Sequence, residues 1–117
     1  MKEMMRNFQS PGSHFRGVPF WAWNAELDEE ELVRQIGIFK KMGFGGFFMH
    51  ARVGLNTAYL SRKWFDCIKR SVAEAKKLGM EANLYDEDRW PSGAAGSLVT
   101  RDDRYKMHFC IAEFFDR

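Results

Sequence analysis

Lys40-Lys41-Met42-Gly43-Phe44 and Lys76-Lys77-Leu78-Gly79-Met80 share one layout: two lysines, an apolar residue, a glycine and a second apolar residue. Each reads as a helix end, with cations facing the negative end of the helix dipole and a glycine in the left-handed position after the last turn. Upstream of the first copy, Asp28 is the predicted N-cap and Glu31 its capping-box partner. Leu32, Val33, Ile36, Phe39 and Met42 then form an apolar stripe at three- and four-residue spacing. Upstream of the second copy, Ser61 is the predicted cap, and Trp64, Phe65, Ile68, Val72 and Ala75 form the stripe.

Before, between and after these helices lie three short apolar runs: Val18 to Trp23, Gly45 to His50 and Glu81 to Tyr85. Each repeat is therefore strand, loop, capped helix, glycine, next strand, and a unit of roughly 30 residues is the scale of parallel βα architecture. Right-handed connections place all three strand C-termini on one edge of the sheet, where βα proteins gather their ligand-binding groups. The predicted fold class is α/β with about three βα units over residues 18–104. Residues 1–17 lack periodicity and are expected to form an irregular arm. In the tail, Tyr105, Met107, Phe109 and Ile111 alternate with Lys106, His108, Cys110 and Ala112, so 105–117 is expected to be a β-strand leading into an insertion or a missing remainder.

The 117 residues are 45% apolar and include four Trp, three Tyr and eleven Phe, enough to bury a core. A net charge of +2 supplies no basic field for nucleic acid. No run reaches the ~18 apolar residues of a membrane span, and the first seventeen lack the apolar core of a signal peptide. A soluble chain without membrane partners is expected. Localisation stays open, with a periplasmic or extracellular home for a full-length protein compatible with a lost leader. Cys67 and Cys110 are too far apart for a zinc or redox pair and are expected to be buried thiols.

The strand ends carry the candidate site. Asn24 and Glu26 follow the first strand, His50 and Arg52 the second, and Asp86, Glu87, Asp88, Arg89 and Trp90 the third. Trp21 and Trp23 are expected on opposite faces of their strand, which leaves Trp23, nearer the end, as the ligand candidate. Asp86 and Asp88 are expected to point one way and Glu87 the other. Two carboxylates at suitable separation serve glycoside cleavage, whereas acids paired with Arg52, Arg89 or Arg101 would be a structural network. Trp90, held extended before Pro91, resembles a sugar-stacking platform. His50 and Arg52 offer directed donors to hydroxyls or a carboxylate. The 91–97 loop could instead present backbone N–H groups to a phosphate, although it lacks both the lysine-plus-hydroxyl ending of a phosphate loop and the dinucleotide glycine pattern.

Trp21-Ala22-Trp23-Asn24, His50-Ala51-Arg52-Val53-Gly54 and above all Tyr85-Asp86-Glu87-Asp88-Arg89-Trp90-Pro91-Ser92-Gly93-Ala94-Ala95-Gly96 resemble bacterial glycoside hydrolases of the α-L-rhamnosidase type classed as family 106. The resemblance spans roughly Val18 to Thr100. It implies the first three strands of a (β/α)8 TIM barrel that can be interrupted by a β-rich insertion. It also implies a terminal-sugar subsite lined by Trp23, Asn24, His50, Arg52, Tyr85, Asp86, Glu87 and Trp90. The family's catalytic carboxylates and calcium ligands come from later strands, so no position here inherits a catalytic or metal-binding role and any calcium belongs to a complete enzyme.

An eight-stranded barrel takes about 250 residues, so this chain supplies only part of one. The expectation is the N-terminal sugar-binding part of a glycoside hydrolase acting on rhamnose-containing glycans, inactive alone, with self-association or a missing barrel half covering its open sheet edge. The alternatives are a non-catalytic carbohydrate-binding or assembly module and a phosphate- or sugar-phosphate-binding βα enzyme.

Overall fold

The computed structural model describes residues 1–90, 93 and 95–114. In chain order the elements are α1 (Lys2–Gln9), β1 (Phe20–Trp23), α2 (Glu29–Lys41), β2 (Gly46–Ala51), α3 (Arg62–Lys77) and β3 (Glu81–Asp88), with 3₁₀ turns at Ser13–Phe15 and Asp103–Tyr105. The three strands form one parallel sheet in the order β1-β2-β3. This is the α/β fold expected from the repeat.

The repeat has a specific physical content. After α2, the Gly43 N–H bonds the Lys40 carbonyl and the Phe44 N–H bonds the Phe39 carbonyl, at 3.1 Å each. After α3, Gly79 bonds Lys76 at 3.3 Å and Met80 bonds Ala75 at 2.9 Å. Both are Schellman motifs, with Gly43 at φ +87° and Gly79 at φ +61°. The motif also brings its flanking apolar residues together: the Phe39 and Phe44 rings lie 6.1 Å apart, and Ala75 and Met80 are both buried. One device thus ends each helix and aims the chain into the next strand.

The helix starts follow the sequence as well. The Asp28 carboxylate accepts from the Glu31 N–H at 2.8 Å, and the Ser61 hydroxyl from the Trp64 N–H at 3.2 Å. The Glu31 carboxylate, expected to reach back to Asp28, turns to Arg34 and to the Gln35 amide. Gln35 in turn accepts from the Trp21 indole N–H at 2.8 Å.

Both helices cover the same face of the sheet. Leu32 and Ile36 of α2 and Trp64, Cys67 and Ala75 of α3 pack with Trp21, Trp23, Phe47 and Met49 into one core. Cys67 and Ser71 are fully buried, whereas Phe65 and Val72 of the expected stripe remain partly exposed. The buried stripe of α3 therefore runs through Trp64, Cys67, Ser71 and Ala75. Cys110, also expected to be buried, is exposed.

Trp21 and Trp23 lie on this helix-covered face together, their rings 5.6 Å apart, and not on opposite faces. Residues two apart on a strand share a face, and the register pairs Trp21 with Met49 and Trp23 with Ala51. The other face bears Phe20, Ala22, Phe48, His50, Asn83 and Tyr85 and has no helix over it among the described residues.

The terminal segments differ from expectation. Residues 2–9 form a helix because Met1, Met4, Met5 and Phe8 recur at helical spacing, yet none of its residues is buried. The alternating tail forms no strand over 106–114; the rest of that prediction, 115–117, lies outside the described residues. Alternation suits a strand only where a neighbour completes its hydrogen bonds, and none lies alongside among the described residues. Met107, Phe109, Ile111 and Phe114 are exposed accordingly. The radius of gyration, 20.5 Å against about 13 Å for a compact 100-residue domain, reflects these extended ends. No helix among the described residues is long and apolar enough to cross a membrane.

Candidate ligand-binding edge

The C-terminal ends of the strands are tied into one surface by backbone bonds. The Arg52 N–H donates to the Trp23 carbonyl at 3.0 Å, and the Arg89 N–H to the Ala51 carbonyl at 2.9 Å. Buried Thr57 accepts from the Leu27 N–H at 2.9 Å and staples the loop after β2 to the loop after β1. Gly54 lies so close to Asn24 that a β-carbon there would stand 2.9 Å from the Asn24 carbonyl oxygen. Asn24, Arg52 and the end of β3 thus share an edge.

On the uncovered face, His50 is enclosed by rings. The Tyr85 ring lies 4.2 Å and the Phe20 ring 4.6 Å from the imidazole, both edge-on. His50 is fully buried, and neither ring nitrogen meets a hydrogen-bond partner among the described residues. Burial pushes its pKa below the usual histidine value. The nearby Arg89 backbone carbonyl opposes that shift and the Arg52 guanidinium adds to it. Phe20 went unremarked in the sequence because it stands next to Pro19, but period two from His50 through the parallel register marks it as a neighbour of this cluster.

The acids do not keep strict alternation. Met49 pairs with Leu84 and Ala51 with Asp88, so Tyr85, Asp86 and Glu87 stand opposite His50 alone. Such a bulge re-aims side chains at a strand end. Asp86 is exposed, while Glu87 is only 2% exposed and Asp88 is largely covered. Glu87 and Asp88 both turn to the following loop, contrary to the expected opposition. The Glu87 carboxylate accepts from the Gly93 N–H, from the Gly96 N–H at 2.9 Å and from the Asp88 N–H at 3.1 Å. Asp88 packs on Gly96, where a β-carbon would come within 2.5 Å of its Oδ2. Tyr59, missed in the sequence, is half-buried near these acids. Burial raises its phenol pKa, and Glu87, Asp88 and Asp86 raise it further.

The loop is also strained. Arg89, Ala95 and Ser97 have φ of +74°, +47° and +69°, beside Gly93 at +110° and Gly96 at +62°. A left-handed non-glycine residue costs about 1–2 kcal/mol. The loop amides meet the chain's own carboxylate, so Gly93 and Gly96 do not offer their N–H groups to a phosphate. The phosphate reading loses these two donors.

Of the eight predicted sugar-contacting residues, Asn24, Arg52, Asp86 and Trp90 are exposed at the edge. Tyr85 and His50 form the ring cluster, Trp23 belongs to the core and Glu87 to the loop. Trp90 is 68% exposed, whereas Trp21, Trp23 and Trp64 are buried. The edge therefore offers an aromatic face, the planar donor fork of Arg52, an amide and one free-facing carboxylate. That mixture suits a neutral ligand with hydroxyls on one side and C–H groups on another. Among the described residues no group of three or more His, Cys, Asp or Glu could hold a metal ion.

No family model and none of the curated proteins compared with this chain matches it. Among solved structures, the fold is similar to the rhamnosidase from Novosphingobium sp. PP1Y, with a TM-score of 0.63 and 22% identity over 74% of this chain. The match covers 9% of the length of that enzyme. At this identity the likeness establishes the α/β fold and is consistent with part of a barrel.

Proposed function

We propose that this chain is the sugar-binding, N-terminal part of the barrel of a glycoside hydrolase of the family 106 type, acting on rhamnose-containing glycans. The observation that carries the reading is that the Trp90 indole, Asn24, Arg52 and Asp86 are all exposed at the C-terminal edge of one parallel sheet. The fold likeness to part of a rhamnosidase supports it. An apolar ring takes the C–H face of a sugar, and the polar groups take its hydroxyls. Asp86 is the exposed acid among Asp86, Glu87 and Asp88, and glycoside cleavage by the usual route needs two carboxylates, so hydrolysis in this reading draws them from outside residues 1–117.

Calorimetric titration of the chain with L-rhamnose and with D-glucose tests the reading. Saturable binding of rhamnose is expected, weakened by about 1–3 kcal/mol in Trp90→Ala. Equal heats for both sugars, or unchanged binding in the variant, would remove Trp90 from the site. The single exposed carboxylate at the C-terminal end of β3, Asp86, also favours a second reading, a carbohydrate-binding module without chemistry. That reading predicts rhamnose binding even where a full-length version releases no rhamnose from an aryl rhamnoside.

A further inference from the structure

We infer that Glu87 is a positioning residue whose buried carboxylate gathers the Gly93 and Gly96 N–H groups and so holds the loop that presents Trp90 to ligand. The role rests on the sugar-binding reading for its purpose, but the clamp itself is a property of the loop.

The geometry is divided between the two oxygens. Oε2 accepts from Gly93, and Oε1 accepts from Gly96 and from Asp88. Trp90 lies between the carboxylate and its first loop donor in sequence, so these bonds close a short ring of chain with Trp90 inside it. Charge-assisted bonds of this kind are stronger than neutral ones, and a buried carboxylate stripped of its donors is costly. Carboxylate and loop therefore depend on each other.

The backbone shows what the clamp holds in place. Of the described residues from Arg89 to Ser97, five occupy left-handed conformations, three of them not glycine. Left free, Arg89, Ala95 and Ser97 would relax to negative φ and the loop would lose its shape. Gly96 lets the loop settle against Asp88, because no β-carbon fits between them. With Glu87 only 2% exposed, a sugar bound at the edge meets Trp90 and not the carboxylate behind it.

The test compares the full wild-type chain with Glu87→Gln and Glu87→Asp by amide hydrogen exchange and by the ¹⁵N heteronuclear NOE of the Trp90 indole N–H, which is resolved from those of Trp21, Trp23 and Trp64. Glu87→Gln replaces one accepting oxygen with an N–H₂ donor. Exchange at Gly93 or Gly96 should accelerate at least about tenfold, and the Trp90 indole NOE should fall, while Phe47 and Met49 amides keep their protection. Glu87→Asp, which keeps the charge on a shorter arm, should restore part of the protection. Wild-type exchange rates at both glycines in a folded Glu87→Gln chain would overturn the clamp.

Should the variants not fold, scalar coupling through the hydrogen bond from the Gly96 amide nitrogen to the Glu87 carboxyl carbon decides the matter in the wild type. Its presence supports the clamp and its absence overturns it. Rhamnose binding separates the two proposals. A wild-type chain with a protected loop but no affinity for rhamnose ends the sugar reading alone, while undiminished rhamnose affinity in Glu87→Gln ends the positioning role alone.

Discussion

The two faces of the same three-stranded sheet have opposite characters. One is dry: Trp21, Trp23, Phe47 and Met49 vanish beneath α2 and α3. The other keeps its aromatic rings in partial contact with water, with Phe20 55% exposed and Phe48 and Tyr85 half-buried around His50. Both are apolar, so hydrophobicity alone does not distinguish them. What differs is the connection: both crossover helices lie on one side, and the other side receives only what the strand ends and loops bring to it. The first face holds the fold together, and the second, with its rim of polar groups, is available to be met.

That contrast predicts a ranking of substitutions. Phe47→Ala opens a cavity in the dry core and should destabilise by about 3–5 kcal/mol in urea unfolding. Phe20→Ala, on the open face, should cost under about 1.5 kcal/mol by the same measurement, since half of its ring is already in water. Equal losses would mean that the open face is as structural as the covered one.

Next in size, Gly96→Ala should cost about 1–3 kcal/mol, because it forces a left-handed alanine against Asp88. An unchanged unfolding midpoint would show that the loop can fold without this close approach.

The smallest effect should come from His50. Its folded pKa lies below the unfolded value near 6.5, so the unfolded chain binds the proton more readily. Stability should therefore fall as pH drops below about 6.5 and be unaffected above it. His50→Phe should flatten the dependence of the urea midpoint between pH 7.5 and 5. The Glu26 and Glu31 carboxylates, lowered by Lys63 and Arg34 respectively, titrate below this window and do not confuse the reading. The same slope in wild type and variant would show that His50 is not held neutral by burial.

Most of the covered face could be read in the sequence because local rules govern it. The lysine-glycine helix ends, the Asp28 and Ser61 caps and the short apolar runs all follow from bonds made within a few residues. The pairing of Trp21 and Trp23 on one face was equally legible from strand periodicity, and only a misapplied period hid it. The helical spacing of Met1, Met4, Met5 and Phe8 was also present, masked by the polar residues between them.

The open face and its edge were harder because long-range pairing governs them. The bulge opposite His50 depends on how β3 meets β2, and it alone decides that Glu87 turns inward while Asp86 stays exposed. No spacing rule separates three consecutive acids in this way. The role of the glycine loop inverted for the same reason. The Gly93 and Gly96 amides look like part of a cradle for an external anion until the fold brings Glu87 to them. The tail shows the reverse case, in which alternation was real but no neighbour among the described residues completed a strand.

The central claim is that ligand meets the open face at the strand ends. Titration of the ¹⁵N-labelled chain with L-rhamnose, followed by two-dimensional NMR, tests it most directly. Saturable shifts are expected at the Trp90 indole N–H and at the Asn24, Arg52 and Asp86 amides, with the Ile36 and Cys67 amides of the covering helices unmoved. Shifts confined to the helix-covered side, or none at saturating sugar, would contradict it.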